Sequence, residues 1–474
     1  MSLAPSDTLG PFTDWVSRTL EDGLEQAKSE RATILKVSSR KMEWDIAYRV
    51  FDSSVEDAVF FGRNQDVSLG VGVAEAFEAD PRQKDVASKT VFPGLTSLSV
   101  PGATTLSVMG GWGFPLAKGK REHGAWRRFK TSRWIVPALT LTSHGDEVEV
   151  TMAIRIRPDS EARPLLARYL KLSRALAPKK RGASSPESLP RLESARSSLS
   201  RAKWEAIAKH ALDSISKGEL NKVVLARCVN LSFRSKVPAS AVLERLVSLN
   251  PDSTVFAVKR GGSVFLGATP ESLVSVRNGQ ASVDCLAASL PRGSDRAADE
   301  SLGARLMGDS KSRNEHQFVV QAAVAALSPI SSRVEVPGGP VIKKLTKIQH
   351  LYTPLKAELH PGKGAWDAAL ALWPNPAIGG EPREKAVAWI RKFEKLNRGW
   401  YSGVVGRLNV SLDEGDLVVG IRSGVIAGRR ASIYAGAGIV AGSEPKEEFE
   451  ETGWKLRTMG ESLGLDDLSA LSGV

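Results

Sequence analysis

Two acidic helix segments carry the side chains best suited to chemistry. SEPKEEFEETGWK places Glu448, Glu451 and Lys455 at i, i+3 and i+7, on one helix face. Taken alone, that pattern also describes a solvated face with i,i+4 pairing. DSKSRNEHQFVVQ adds Glu315, followed by Phe318 and Val319 on a core-facing run, which puts its carboxylate at the edge of the core. Two helices turning carboxylates toward one pocket would make a Mg²⁺ site, because hard divalent cations take oxygen ligands and keep positions for water or substrate. Six histidines and two cysteines form no softer site.

Other candidates sit on strands. NKVVLARCVNLSF puts Val223, Leu225, Val229, Leu231 and Phe233 on one face and Lys222, Val224, Ala226 and Cys228 on the other. Lys222 either guards a strand edge or opens a small-residue face. In VFLGATPESLVSV, Pro270 cannot donate to a ladder and breaks it just before Glu271, at an irregularity of the kind that borders sites. A lysine and a glutamate on opposite sides of a pocket act as base and acid if burial lowers the first pKa and raises the second. ASIYAGAGIV aligns Tyr434, Gly436, Gly438 and Val440, whose bare positions admit either a ligand or a closely packed strand. In DLVVGIRSGVIAG, Arg422 shares a strand face with Val418, Gly420, Gly424 and Ile426 and needs a carboxylate, from a ligand or from the protein.

The elements that must position these residues divide at 178–203, where serine, proline and charge replace apolar periodicity. We expect a surface linker there, with 1–177 before it and 204–474 after it. The first part reads as antiparallel strands, such as ERATILKVSSR and GDEVEVTMAIRIRP, around a stretch rich in glycine and aromatics. The second opens with a helix from Trp204 to Ser216 and a strand over 221–233. Further strands are expected at SVFLGATPESLVSV, VVGIRSGVIAG and ASIYAGAGIV, with helices near 298–327, 381–396 and 445–461. Such a mixture, without regular βαβ alternation, indicates an α+β protein on large antiparallel sheets. The sequence lacks GxxxxGK[ST], a strand-borne GxGxxG, HExxH, GxSxG and zinc spacing.

In order along the chain, KVVLAR (222–227), GATPESLVSV (267–276), SKSRNEH (310–316), QHL (349–351), WPNPAIGGEP (373–382), RGWYSGVVG (398–406), IRSG (421–424) and YAGAGIVAGSEPKEEFEET (434–452) resemble the chorismate-utilising enzymes. That family includes isochorismate synthases, salicylate synthases and the large subunits of anthranilate and aminodeoxychorismate synthases. The likeness spans 204–460, and GGWGF with Trp126, Trp134 and Pro137 is similar to the family's looser N-terminal part. It implies two large antiparallel sheets packed together and flanked by helices, with the site in the C-terminal half. It further implies that Glu315 and Glu451 bind magnesium, that Glu448 reaches the metal through water, and that Ser289, His350, Tyr401, Arg422, Gly436, Gly438 and Lys455 surround the substrate. KVVLAR resembles the subgroup in which lysine activates water, so Lys222 is the implied base and Glu271 the implied acid. Where another subgroup carries a nucleophilic lysine, this chain has Ala287.

The implied reaction is Mg²⁺-dependent conversion of chorismate to isochorismate by water attack at C2 and loss of the C4 hydroxyl, with no glutaminase subunit. A salicylate synthase, which also eliminates pyruvate, and a weakened family member are the alternatives. Four positions depart from the family pattern. Ala288 replaces a glycine that lets the backbone meet a carboxylate, and Trp373 replaces a histidine. Asn375 replaces a substrate-facing threonine, and Ser312 stands where an outer metal carboxylate is expected.

The 474 residues, 42% hydrophobic and 25% charged, suffice for a large core. Cys228 and Cys285 provide no disulfide framework, no basic-then-apolar leader opens the chain, and no stretch approaches the roughly 18 apolar residues of a membrane span. A soluble cytoplasmic protein is therefore expected. The net charge of +12 suits an anionic partner. A competing reading has KGKREHGAWRRFK (118–130) and PKKRG (178–182) holding nucleic acid, although basic clusters are usually solvated surface.

Overall fold

Alternating apolar and polar residues build strands that pair antiparallel throughout, in sheets of 12 and 10 strands among the described residues. The structure, a computed structural model, describes residues 5–31, 33–41, 48–78, 106–115, 124–145, 147–176, 188–344, 348–409, 411 and 413–465. Helices flank both sheets, as the α+β reading anticipates.

The two parts of the chain do not form separate sheets. Asp57–Arg63 pairs with Thr254–Arg260 in the first sheet, and Ser107–Trp112 pairs with Val404–Asn409 in the second. The expected linker at 178–203 is also corrected in its described half. Leu192–Ser197 is a strand paired with Lys222–Phe233, and the helix Arg201–Ser216 starts inside the segment, capped by Ser200. Serine and charge suit this strand because none of its residues is fully buried and only Leu192 and Ala195 pack against the core. Residues 177–187 and 116–123, which hold much of the two basic clusters, lie outside the described residues. Of the described cluster residues, Arg128 pairs with Glu56 and Lys130 with Glu78.

Two segments expected as single strands each divide between the sheets. Ser263–Thr269 pairs with Ser423–Ala427 in the first sheet, whereas Ser272–Arg277 pairs with Gly415–Val419 in the second. Pro270 lacks the N–H that would continue the ladder, and the partner chain turns at Gly420–Arg422. Arg422 therefore lies in a crossing, with φ of 50°, and not on a strand face. Two backbone bonds tie the crossings together: Val419 N–H donates to the Glu271 carbonyl (3.1 Å), and Ala268 N–H to that of Arg422 (3.2 Å). The helix expected over 298–327 is likewise two, Arg296–Gly308 and Ser310–Leu327, because Asp309 caps the second through Ser312 N–H at 2.8 Å.

The Lys222–Phe233 strand is interior, flanked by Arg430–Val440 on one side and by Gly380–Glu381 and Leu192–Ser197 on the other, so Lys222 guards no exposed edge. Val223 and Leu225 pack with Trp204, Ala386 and Ile439 beneath helices. A buried pair braces the other face: Arg398 donates to both Glu394 oxygens (2.7 and 2.6 Å) and to the Val224 and Ile378 carbonyls (2.7 and 3.0 Å). Glu394 also accepts from Ala226 N–H at 2.8 Å. No helix among the described residues is long and apolar enough to cross a membrane.

Removing one member of such a pair leaves a buried charge without compensation. Arg398→Ala is expected to lower unfolding stability by about 3–5 kcal/mol in urea titration; a loss below about 1 kcal/mol would contradict this role.

Candidate active site

The crossings, the strands Lys222–Phe233, Arg430–Val440, Gln280–Pro291 and Ile348–Leu359, and the helices Ser310–Leu327 and Pro445–Ser462 enclose a cavity of about 280 Å³. Every candidate residue from the sequence lines it: Lys222, Glu271, Ser289, Glu315, His350, Tyr401, Arg422, Gly436, Gly438, Glu448, Glu451 and Lys455. The helices face it because their opposite sides are anchored elsewhere. Phe449 packs edge-on against Trp204, Leu456 and Met459 enter the core, and the His316 ring nitrogen meets Thr353 Oγ1 at 2.7 Å.

Each of the three glutamates that line the cavity from these helices meets a lysine. Lys222 Nζ donates to Glu315 at 2.7 Å, Lys455 lies 2.6 Å from Glu451, and Lys311 lies 3.1 Å from Glu448, which also accepts from Ser443 Oγ at 2.8 Å. Burial and the neighbouring Glu451 push the Glu448 carboxyl up to about 7. Against the pull of burial, Lys455 and a hydrogen bond with Glu448 draw Glu451 down to about 2. Two carboxyls sharing a hydrogen bond in this way divide one charge between them. Among the described residues no three acidic, histidine or cysteine groups already converge as a metal centre. The donor chemistry nevertheless fits a hard cation: three carboxylates face one cavity, and two of them crowd each other.

The far wall is less charged. Glu271 is buried, and burial raises its pKa, opposed by a hydrogen bond from Asn375 and by Lys222, Lys455 and Arg422. His350 meets Ser289 Oγ through Nδ1 at 2.7 Å, and burial followed by the cations Arg422 and Lys455 lowers it to about 3, so it is neutral at physiological pH. Its Nε2 has no partner among the described residues. Burial raises the Tyr401 hydroxyl to about 12, and its ring stacks on Tyr434 at 5.2 Å. Arg422 forms no ion pair among the described residues, although Glu451 attracts it across the cavity. Of the two sources of a carboxylate for this guanidinium, the described residues supply none at contact distance.

The glycines serve the site's own side chains. A Cβ on Gly438 would come within 2.9 Å of Lys222 Cε and 3.1 Å of Glu315 Oε1, so the bare position makes room for that pair. Lys455 also donates to the Gly436 carbonyl at 2.9 Å. Two contributors were missed in sequence: Lys311 and Ser443 engage Glu448, and each is an ordinary polar residue with no spacing signal. Asn375, noted in sequence as a departure facing the substrate, donates to Glu271. A second cavity, about 370 Å³, shares Ser289, Arg422, Glu451 and Lys455 and is flanked by the exposed Trp454.

Ala288 occupies the left-handed region at φ of 57°, beside a bulge between Ala287 and Ser289. A methyl-bearing residue pays strain there that glycine avoids, so Ala288→Gly should raise stability by about 0.5–1 kcal/mol, read as a higher urea midpoint. An acid whose pKa rises on folding destabilises the fold above its unfolded value. In chelator, Glu448→Gln should therefore exceed the unaltered protein in stability at pH 8, by on the order of 1–3 kcal/mol, and match it near pH 4. A difference independent of pH would refute the shared-charge description.

A family model described as chorismate binding enzyme matches residues 20–464. The chain is 36% identical over 380 residues to a Pseudomonas aeruginosa protein named salicylate biosynthesis isochorismate synthase, covering 79% of each. It is 35% identical over 354 residues to the Bacillus subtilis isochorismate synthase MenF, covering 74% of each. Among solved structures, MenF of Escherichia coli, titled a menaquinone-specific isochorismate synthase, aligns with a TM-score of 0.74 at 23% identity, over 95% of this chain and 99% of that one. Anthranilate synthase component I of Streptococcus pneumoniae aligns at 0.62 and 21%, over 89% and 92%. At those identities the two structures speak for the fold alone, whereas the family match and the sequence relatives establish kinship: the chain belongs to the chorismate-binding enzymes.

Proposed function

We propose that this protein is an isochorismate synthase. The observation that carries the proposal is that the Lys222 amine and the buried Glu271, whose pKa burial raises, share one cavity with Arg422, which forms no ion pair among the described residues. The names of the sequence relatives agree with it. In this reading Arg422 and Lys455 receive the carboxylates of chorismate, and the stacked Tyr401 and Tyr434 wall its ring.

Acting as the base, Lys222 takes a proton from a water as its oxygen bonds to C2. The ring double bonds shift, the C4–O bond breaks, and Glu271 gives its proton to the departing hydroxyl, which leaves as water. One water enters and one leaves, so the change is an isomerisation, and solvent returns the protons to the two side chains. Hydroxide is a poor leaving group, which makes the acid indispensable. Glu315, Glu448 and Glu451 would hold Mg²⁺, which when bound supplies neutralisation and orientation of the ring carboxylate. Water as nucleophile requires no ammonia-delivering subunit.

Purified protein given chorismate and Mg²⁺ is expected to yield isochorismate by chromatography, without salicylate fluorescence. Lys222→Ala and Glu271→Gln should each lower kcat by about 10²–10⁴-fold. Absence of isochorismate, or full activity in Lys222→Ala, overturns the proposal; accumulation of salicylate makes the protein a salicylate synthase instead.

A further inference from the structure

Asn375 does not stand where the family resemblance puts a substrate-facing hydroxyl. It lies behind Glu271, against a void of about 20 Å³ shared with Ser272, Cys285 and Arg383. Its Nδ2 donates to Glu271 Oε1 at 2.8 Å, while its Oδ1 accepts from Ala377 N–H at 3.1 Å. The Asn375 carbonyl accepts from the N–H groups of Ile378 (3.2 Å) and Gly379 (3.0 Å), so the turn itself is pinned. Glu271 is pinned as well, its N–H donating to Thr269 Oγ1 at 3.2 Å and its carbonyl accepting from Val419 N–H at 3.1 Å.

The Ala377 contact fixes which way the amide faces. Turning it over would set NH₂ against the Ala377 N–H and lose that bond. An amide NH₂ donates and cannot accept, so Oε1 is always an acceptor. A threonine hydroxyl would donate or accept and would leave the choice of oxygen open.

We infer that Asn375 is the positioning residue for the acid step: by holding Oε1 as an acceptor it confines the Glu271 proton to Oε2, the oxygen left for the substrate. The inference rests on the isochorismate synthase reading. As the Oε2–H bond breaks and the proton passes to the C4 hydroxyl, negative charge develops on the carboxylate, and the Asn375 bond becomes charge-assisted and stronger. That is binding gained in the transition state. The same bond favours the ionised acid and opposes the effect of burial. Lys222, Arg422 and Lys455 act on the carboxyl in the same direction, and the Cys285 thiol, on the void that Asn375 borders, is the neighbouring titratable group behind it.

The test uses the full chain. The C=O stretch of neutral Glu271 is isolated in the infrared as the difference between the protein and Glu271→Gln, and followed with pH. In Asn375→Ala the neutral band should persist to higher pH by on the order of one unit. Asn375→Asp keeps the shape and the acceptor for Ala377 but offers Glu271 an oxygen. It should lose about 10–100-fold in kcat with KM within about twofold. Asn375→Thr, which can still donate, should recover part of that loss. An unmoved band in Asn375→Ala, or a KM that rises as kcat falls, overturns the inference. If Asn375→Ala does not fold, the isosteric Asn375→Asp carries the infrared measurement, since a like charge also raises the acid. The infrared titration needs no turnover, so a protein that makes no isochorismate and an acid that ignores Asn375 are separate results.

Discussion

Everything at the cavity depends on two chain segments that change sheets side by side. Where 269–272 and 419–423 cross, the strands part and leave peptide groups and side chains facing the gap between sheets. Glu271 and Arg422 stand in those crossings, one a buried acid and the other a cation that forms no ion pair among the described residues. The backbone bonds between the crossings set the spacing of the two residues independently of either side chain. A loop would have placed them less firmly, because its backbone groups would have gone to water.

Around that junction every helix carboxyl at the cavity meets a cation. Three lysines oppose three glutamates at 2.6–3.1 Å, whereas the chain as a whole carries +12. In a partly dry site an unmatched charge would be costly, which is why the surplus cations are found on the surface, as at Arg128 and Lys130. The long-range field of the protein and the local field of the site are thus different quantities, and only the first follows from composition.

Much of this was legible in the sequence. Strand alternation separated Lys222 from Val223, and helical spacing put Glu448, Glu451 and Lys455 on one face. Pro270 marked the break before Glu271. The ordered family motifs gave the two-sheet fold, and with it Ser289, His350 and Tyr401, which have no periodic signature. What periodicity could not give was tertiary. A strand that continues into a second sheet has the same alternation as one that stays, so Arg422 read as a strand residue. The serine-rich 192–197 read as a linker because an edge strand that sends only Leu192 and Ala195 against the core lacks a regular apolar half of the pattern. Lys311 and Ser443 escaped because a polar residue acquires a role only from the partner folding brings to it.

The mixing of early and late strands has a consequence for how the molecule is made. The strand Ser107–Trp112 lies between Val404–Asn409 and Ser132–Val136, so one of its edges waits for nearly three hundred further residues to be synthesised. Until then its apolar face and open ladder are exposed, and neither sheet can close on a partial chain. A nascent molecule of this design spends its synthesis as an unfinished interface, in need of protection from its neighbours until the last strands emerge.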